Sequence, residues 1–352
     1  MPGENGHDWD VNATEALAAA RRLADEVLFP AAMRTDAADL LPDANLDLLA
    51  EAGLYGIAGP ADAGGSALEA ADAARVVEVL ASGCLTTAFV WTQHHGPVRA
   101  IADADNTDLR DRWLAPMCAG LARAGVALGG LLGASSLLRA RPTEDGWVLD
   151  GESPWVTGWG RVDVLYVAAR DGEDVVWTLV DAEPSGTLTA EPLRLVAVNA
   201  SGTVTLRFDG HAVPADRVIA IEPYTDVLAR DAARLRVNGS LALGVAGRCC
   251  ALLGPGPLDA ELAAVRAALD TAGPHAAMPA ARAAASELAV RAAAALVTGT
   301  GSRSILADQH AQRLARESLF LLVFGSRPAI RTALLRRLGA ARTEAPLAAG
   351  LH

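Results

Sequence analysis

Between Ala127 and Arg217 the hydrophobic period of the chain changes, and that change constrains the fold more than any other feature. Upstream, apolar residues recur at helical spacing: Ala70, Ala73, Ala74, Val77 and Leu80 fall on one face, while Asp72 and Arg75 point away from it. Inside the interval, short runs rich in β-branched and aromatic residues take over: Trp147-Val148-Leu149, Val164 to Ala168, Val175 to Val180 and Thr203 to Phe208. Asp145-Gly146, Asp171-Gly172 and Asp209-Gly210 supply turns between or beside them. After Pro214 the helical period returns. Short strands joined by such turns predict a compact antiparallel sheet or small barrel, not alternating β and α units. The expected class is α+β: an all-helical domain over 1–122, a central antiparallel β domain over 123–222 and a C-terminal four-helix bundle over 223–352.

Local signals sharpen the helical parts. Asn12 followed by Glu15 reads as a capping box, opening a helix that runs to Leu28 and is stopped by Pro30. A helix from Leu46 to Glu51 ends at Gly53, and one from Ser66 is closed by Gly83. A more apolar helix spans Thr86 to Ala102, perturbed near Gly96-Pro97, and another covers Asp108 to Leu121 with a kink at Pro116. Past the strands, helices are expected over Tyr224 to Leu253, Asp259 to Leu269, Ala277 to Leu296 and Ser304 to Leu338, the last interrupted by Gly325 and Pro328.

The chain has 352 residues, 51% of them hydrophobic and 20% charged, enough for a large core of closely packed, alanine-rich helices. A formal charge of -12 with no Lys/Arg cluster argues against nucleic acid as a partner. Met1 to Asp10 lacks the basic and apolar runs of a signal peptide, and no apolar run reaches the roughly 18 residues of a membrane span, so a cytoplasmic protein is expected. Cys84, Cys118, Cys249 and Cys250 have no CxxC spacing and read as buried thiols. No metal site is expected. Neither a Gly-x-Gly-x-x-Gly turn between strand and helix nor a Gly-x-Ser-x-Gly elbow is present, which disfavours a Rossmann dinucleotide site and an acyl-transfer hydrolase.

Three segments, in order, resemble the acyl-CoA dehydrogenase family of flavoproteins. Asp145 to Thr157 is similar to a glycine turn, a strand, Asn-Gly-x-Lys and then Trp-Ile-Thr. Thr203 to Pro214 looks like the family's last strand and its Phe-x-x-Val-x-Val-Pro exit. Gln312 to Glu317 is similar to an Arg-Leu-x-Arg-Asp segment of the final helices. The resemblance covers nearly the full length. It implies an acyl-CoA dehydrogenase-like fold, bound FAD, a small-molecule substrate such as a CoA thioester lying between the sheet and the C-terminal bundle, and a homodimer or homotetramer. Carried over, it places Trp155 against the isoalloxazine ring and Thr157 at its N5 side. An indole suits stacking, and a hydroxyl near N5 can tune the potential. Without the family context, Trp155 reads as a core residue and Thr157 as a strand residue. Arg313 and Glu317, one helical turn apart, read as an architectural ion pair.

The sequence also departs from the family. Gly325 falls where a Tyr-Glu-Gly-Thr loop would carry the catalytic glutamate, and Ala233 takes the other position known to hold a base. The Thr-Glu-Pro and Gly-Ser-Asp flavin segment is replaced by Leu128 to Ser136, leaving Gly129 backbone and Ser135 or Ser136 hydroxyls as candidate contacts. Leu253 to Leu258 carries no charge where an Arg-x-x-Phe-Gly motif would meet a pyrophosphate. These losses leave two alternatives to an FAD-dependent oxidoreductase using hydride transfer to N5. One is a reduced-flavin monooxygenase of the same fold, in which His95 or His94 manages protons near the flavin. The other is a catalytically inactive or flavin-free relative. Adjacent histidines cannot point the same way on a helix, so at most one faces the sheet.

Overall fold

The computed structural model describes residues 9–131, 136–273 and 277–340, without the side chains of residues 9–12 and 232–234. It separates into two compact units, Met1–Asp231 and Ala232–His352. The first holds a helical region followed by an eight-stranded sheet, and the second is helical, so helix, sheet and helix succeed one another along the chain as the change of period implies.

The strands are β1 (Ala124–Ala127), β2 (Leu138–Thr143), β3 (Gly146–Val156), β4 (Val164–Asp171), β5 (Asp174–Asp181), β6 (Leu188–Pro192), β7 (Val204–Pro214) and β8 (Val218–Pro223). Their order is β6-β7-β3-β2-β4-β5-β8, with β1 paired to β4 off this path. Most neighbours are antiparallel, but β1 and β2 lie parallel to β4, so the sheet is mixed. β1, β2, β6 and β8 were not predicted because each is short or polar and takes its stability from neighbours, not from its own pattern.

Both faces of the central strands are covered. Val164, Tyr166 and Ala168 of β4, with Val175, Trp177 and Leu179 of β5, join Val98, Ile101, Leu109, Leu114 and Met117 of the helices His95–Ala102 and Thr107–Cys118. The alternate residues Leu165, Val167, Ala169, Val176 and Val180 pack with Leu138, Leu149, Val156, Leu206 and Phe208 on the other side. Double burial explains why Val164 to Ala169 reads as an unbroken apolar run instead of an alternation.

Several local expectations are corrected. The first helix starts at Trp9, so Asn12 lies inside it and not at its cap. Pro30 does not stop the chain's helical path: a π-helical stretch, Leu23–Leu28, intervenes, and Pro30 sits at the start of the next helix, Phe29–Asp36, where no intrahelical N–H is needed. The apolar helix divides at Gln93 and His94 into Leu85–Thr92 and His95–Ala102, a few residues before Pro97, which is then accommodated in a first turn. Asp209-Gly210 is a bulge within β7, where Leu149 pairs with His211 and Gly151 with Phe208, and the Gly210 N–H donates to Asp150 Oδ1 at 2.7 Å. The long helix expected from Tyr224 breaks at Arg230 into Tyr224–Ala229 and Asp231–Leu253.

In the second unit, Ala277–Thr300 buries Ala283, Ala285, Leu288, Ala289, Ala292 and Ala293, so alanine permits close approach of its neighbours. Ser286 Oγ donates to the Leu321 carbonyl at 2.7 Å, tying this helix to His310–Val323. Arg282, fully buried and with no carboxylate partner among the described residues, donates to the carbonyls of Leu321 and Phe324 at the end of the same helix, at 3.2 and 3.3 Å. Burial lowers its pKa to about 10. Arg313 and Glu317 form the expected ion pair, Nη1 to Oε1 2.5 Å, with side chains only 1% and 2% exposed.

A buried pair broken on one side leaves an uncompensated charge. Arg313→Met is therefore expected to lower the unfolding free energy by about 3–5 kcal/mol, and Arg313→Met with Glu317→Leu to recover most of it, as read by urea denaturation.

Candidate functional site

The site region is built on an irregularity in β3. Ser153 pairs with Leu206 and Val156 with Val204, so Pro154 and Trp155 together oppose the single residue Thr205 of β7. A proline, having no N–H to give the ladder, suits such a bulge. Trp155 takes φ 63° and stands 65% exposed. Positive φ is an outlier for a bulky residue and costs on the order of 1–3 kcal/mol. An indole is thus held open to its surroundings in a backbone conformation that opposes it.

The turn after β1 closes onto this bulge. A Cβ at Gly129 would be driven into the Pro154 carbonyl oxygen, so only glycine permits the approach. The Leu137 side chain, itself exposed, lies beside Gly130, and its carbonyl accepts from the Glu152 N–H at 3.0 Å. Gly129, Leu137 and Trp155 therefore belong to one neighbourhood. Ser135 lies outside the described residues, as do His7, His275 and His352. Ser136 Oγ donates to the Leu138 carbonyl at 2.9 Å.

Thr157, directly after β3, is only 3% exposed. Its Oγ1 lies 3.2 Å from Thr203 Oγ1, which in turn lies 2.7 Å from Ser201 Oγ. The same loop grips the backbone beyond Thr157: Gly158 N donates to the Ser201 carbonyl at 2.9 Å and Trp159 N to the Gly202 carbonyl at 3.1 Å. It is tied to the helical region by Leu41 N, which donates to the Ala200 carbonyl at 2.7 Å. At its start stands Val198, fully buried at φ 52°. Ser201 and Thr203 were not singled out from the sequence, because they lie more than forty positions from Thr157 and nothing in local spacing joins them.

The two histidines divide their roles. His94 Nδ1 accepts from the Ala124 N–H at 3.1 Å, at the start of β1, and Nε2 lies 3.1 Å from the Met117 carbonyl. Accepting at one nitrogen and donating from the other defines a neutral ring with its proton on Nε2. Burial holds its pKa down at about 3, opposed by the Met117 bond and reinforced by the Arg123 guanidinium. His94, not the favoured His95, therefore reaches the sheet, and both its nitrogens are engaged in fastening it. His95 packs against the edge of Trp91 with ring centroids 4.3 Å apart. Its nitrogens are buried without a hydrogen-bond partner among the described residues, and burial first, then His94 and Arg99, hold its pKa well below the ordinary value.

A cleft of about 380 Å³ in the first unit is lined by Asp43, Arg123, Arg161 and Asp163, and by neither Trp155 nor Thr157. Its guanidinium groups are paired, Arg123 with Asp47 at 2.6 Å and Arg161 with Asp43 at 3.3 Å. In the second unit Gly325 has φ 60°, and a Cβ there would collide with the Asn238 amide. The position the resemblance gives to a glutamate is thus shaped for glycine.

Residues 12–121 match the family model for the acyl-CoA dehydrogenase N-terminal domain. Benzylmalonyl-CoA dehydrogenase of Aromatoleum aromaticum is 27% identical over 235 residues, 64% of this chain and 62% of that protein. Butyryl-CoA dehydrogenase from Megasphaera elsdenii superposes with a TM-score of 0.81 at 17% identity, over 96% of this chain and 99% of its own. The chain thus carries a match to the acyl-CoA dehydrogenase N-terminal domain, and its fold is the acyl-CoA dehydrogenase fold. Its match spans less than two thirds of the benzylmalonyl-CoA enzyme's length, while the fold of the family, helical domain, central sheet and C-terminal helices, is present throughout. A further family fold, described as PigA with FAD and proline, superposes with a TM-score of 0.78 at 18% identity, covering 96% of this chain and 99% of that one.

His94 fixes a pH dependence for this fold. The folded ring titrates near 3 and an unfolded one near 6.5, so the unfolded chain binds the extra proton throughout that window. Stability is fully present above about 6.5 and falls as pH drops toward 3. His94→Gln, whose amide can both donate and accept, is expected to flatten part of that slope in pH-dependent thermal melts. His95, which shifts in the same direction, retains the rest.

Proposed function

We propose that this chain is an FAD-dependent oxidoreductase acting on an acyl-CoA or a related acyl thioester, with Trp155 as the wall for the isoalloxazine ring and Thr157 at its N5 side. The observation that carries the reading is the exposed indole on the strained Pro154-Trp155 bulge. A flat apolar face held open at an energetic cost suits a flat ligand. The residues beside it fit the same group: the Gly129 backbone closes on the bulge with no side chain in the way, and Thr157 offers a hydroxyl that, among the described residues, no carboxylate or amide has claimed. When bound, FAD supplies a two-electron acceptor for hydride. The chain's own part is to cover a ring face with Trp155, hold the neighbouring backbone still, and keep the Thr157 hydroxyl in place.

The relatives support the substrate class by name, being dehydrogenases of benzylmalonyl-CoA and butyryl-CoA. With Gly325 and Ala233 at the two places where the resemblance locates a base, the reading favours a substrate whose proton is acidic enough to leave without a carboxylate there. The monooxygenase alternative draws nothing from His94, whose nitrogens are both engaged, and rests on His95 alone. A homodimer or homotetramer working in the cytoplasm belongs to the same proposal. Among the described residues no helix is long and apolar enough to cross a membrane.

Purified protein titrated with FAD should gain flavin absorbance and quench tryptophan fluorescence, and anaerobic addition of a panel of acyl-CoAs should bleach it. Trp155→Ala is expected to weaken FAD binding about tenfold, from the loss of roughly 1–1.5 kcal/mol of stacking. An unchanged dissociation constant would remove Trp155 from the site.

A further inference from the structure

Among the described residues, Arg282 of the second unit is 1% exposed and meets neutral groups alone: the Ser286 hydroxyl and the carbonyls of Leu321 and Phe324, the last two at 3.2 and 3.3 Å. Its Nε–H has no acceptor there. The carboxylates nearest to these groups in the chain are committed elsewhere, Glu287 to Arg291 and Arg337, and Glu317 to Arg313. With its pKa at about 10 the group stays protonated at neutral pH, so a whole positive charge is enclosed without a counter-ion. Buried charges are ordinarily paired, because an unpaired one loses its hydration and recovers little, and an apolar side chain of similar volume would cost less.

The Phe324 carbonyl belongs to the peptide that leads into Gly325, where the resemblance locates a glutamate. Arg327 Nη1 donates to the next two carbonyls, of Gly325 and Ser326, at 3.3 and 3.2 Å. Three successive carbonyl oxygens are thus turned to guanidinium groups, and the acceptor ends of the loop are spent. Asn238 stands beside it: a Cβ at position 325 would collide with its amide nitrogen, and among the described residues that amide has no hydrogen-bond partner. We propose that the loop 324–327, with the Arg282 charge behind it and the Asn238 amide as a donor beside it, selects a malonyl-type thioester, one with a free carboxylate on the carbon next to the thioester carbonyl. This deepens the acyl-thioester reading and rests on it. A base in this loop would have to reach that carbon, so a group that meets the loop is one borne by the same carbon. Arg282 is enclosed and touches no ligand. It is a specificity-determining residue that acts through the loop by its charge, which the surrounding protein screens far less than water does.

The test compares malonyl-CoA with acetoacetyl-CoA, which has the same shape with a methyl group in place of the charged oxygen. Dissociation constants are measured by isothermal titration calorimetry on the full-length chain with FAD in excess, beside the melting temperature. The wild-type chain is expected to bind malonyl-CoA about tenfold more tightly, the preference for one charge sensed across a short stretch of protein. Arg282→Met, an apolar side chain of similar length, should weaken malonyl-CoA until the two constants meet, leave acetoacetyl-CoA unchanged and not lower the melting temperature. Arg282→Gln, neutral but able to donate to the same carbonyls, should do the same to the constants, and serves alone if the methionine variant does not fold. Arg282→Lys, which keeps the charge, should keep the preference. Equal constants in the wild-type chain overturn the anionic ligand and leave the acyl-thioester reading standing. A preference that persists in the neutral variants, or is lost equally in Arg282→Lys, overturns the role of the charge. A wild-type chain that binds neither ester overturns both this inference and the reading beneath it.

Discussion

Burial of both faces of β4 and β5 is the constraint on which the first unit depends. A strand that is apolar on each side must find two cores, and here one is supplied by the helices His95–Ala102 and Thr107–Cys118, the other by the remaining strands. Each buried aliphatic or aromatic side chain contributes on the order of 1.5–3 kcal/mol, so the centre of the sheet is the least free part of the unit. Irregularity is displaced to the β3–β7 pairing, where two register shifts occur. One admits the Asp209-Gly210 bulge, and the other lifts Trp155 out of the ladder.

Rigid regular strands thus carry a locally unfavourable feature. Trp155 would relax to an ordinary extended conformation if the pairing on either side of it were weak. Ser153 with Leu206 and Val156 with Val204 hold both flanks in register, and Gly129 leaves the space into which the Pro154 carbonyl projects. The hydroxyl row behind Thr157 is fastened in the same manner, from a loop whose backbone bonds reach both the strand end and the helical region. In this chain, an open aromatic face and a fastened hydroxyl are consequences of pairing elsewhere in the sheet.

What the sequence made legible, and what it did not, follows from the range of the interactions involved. The order of helix, sheet and helix was readable because burial imposes a period on residues close in the chain. The Arg313–Glu317 pair was readable because a helix sets its spacing. Trp155 could be singled out only through its likeness to a family pattern, since from spacing alone it was an ordinary aromatic, and its exposure depends on the register of β7. The reach of His94 to Ala124 was hidden because the helix breaks at Gln93 and His94, and no local signal sets how the residues at such a break are turned. Pro30 misled because a π-turn can absorb a proline without ending the helical path, and no local signal announces one. The Ser201–Thr203–Thr157 row joins residues that only the folded loop brings together.

Val198 shows what that loop demands. A β-branched side chain in the left-handed region is among the least comfortable choices available, and glycine would adopt φ 52° freely. The isopropyl group is nevertheless fully buried, and its transfer from water is worth about 1.5–3 kcal/mol, comparable to or greater than the conformational penalty. Side-chain burial and backbone comfort therefore pull in opposite directions at a single residue, so that the loop is clamped like a bent spring. A glycine there would ease the dihedral angle and at the same time remove the weight that keeps the bend closed.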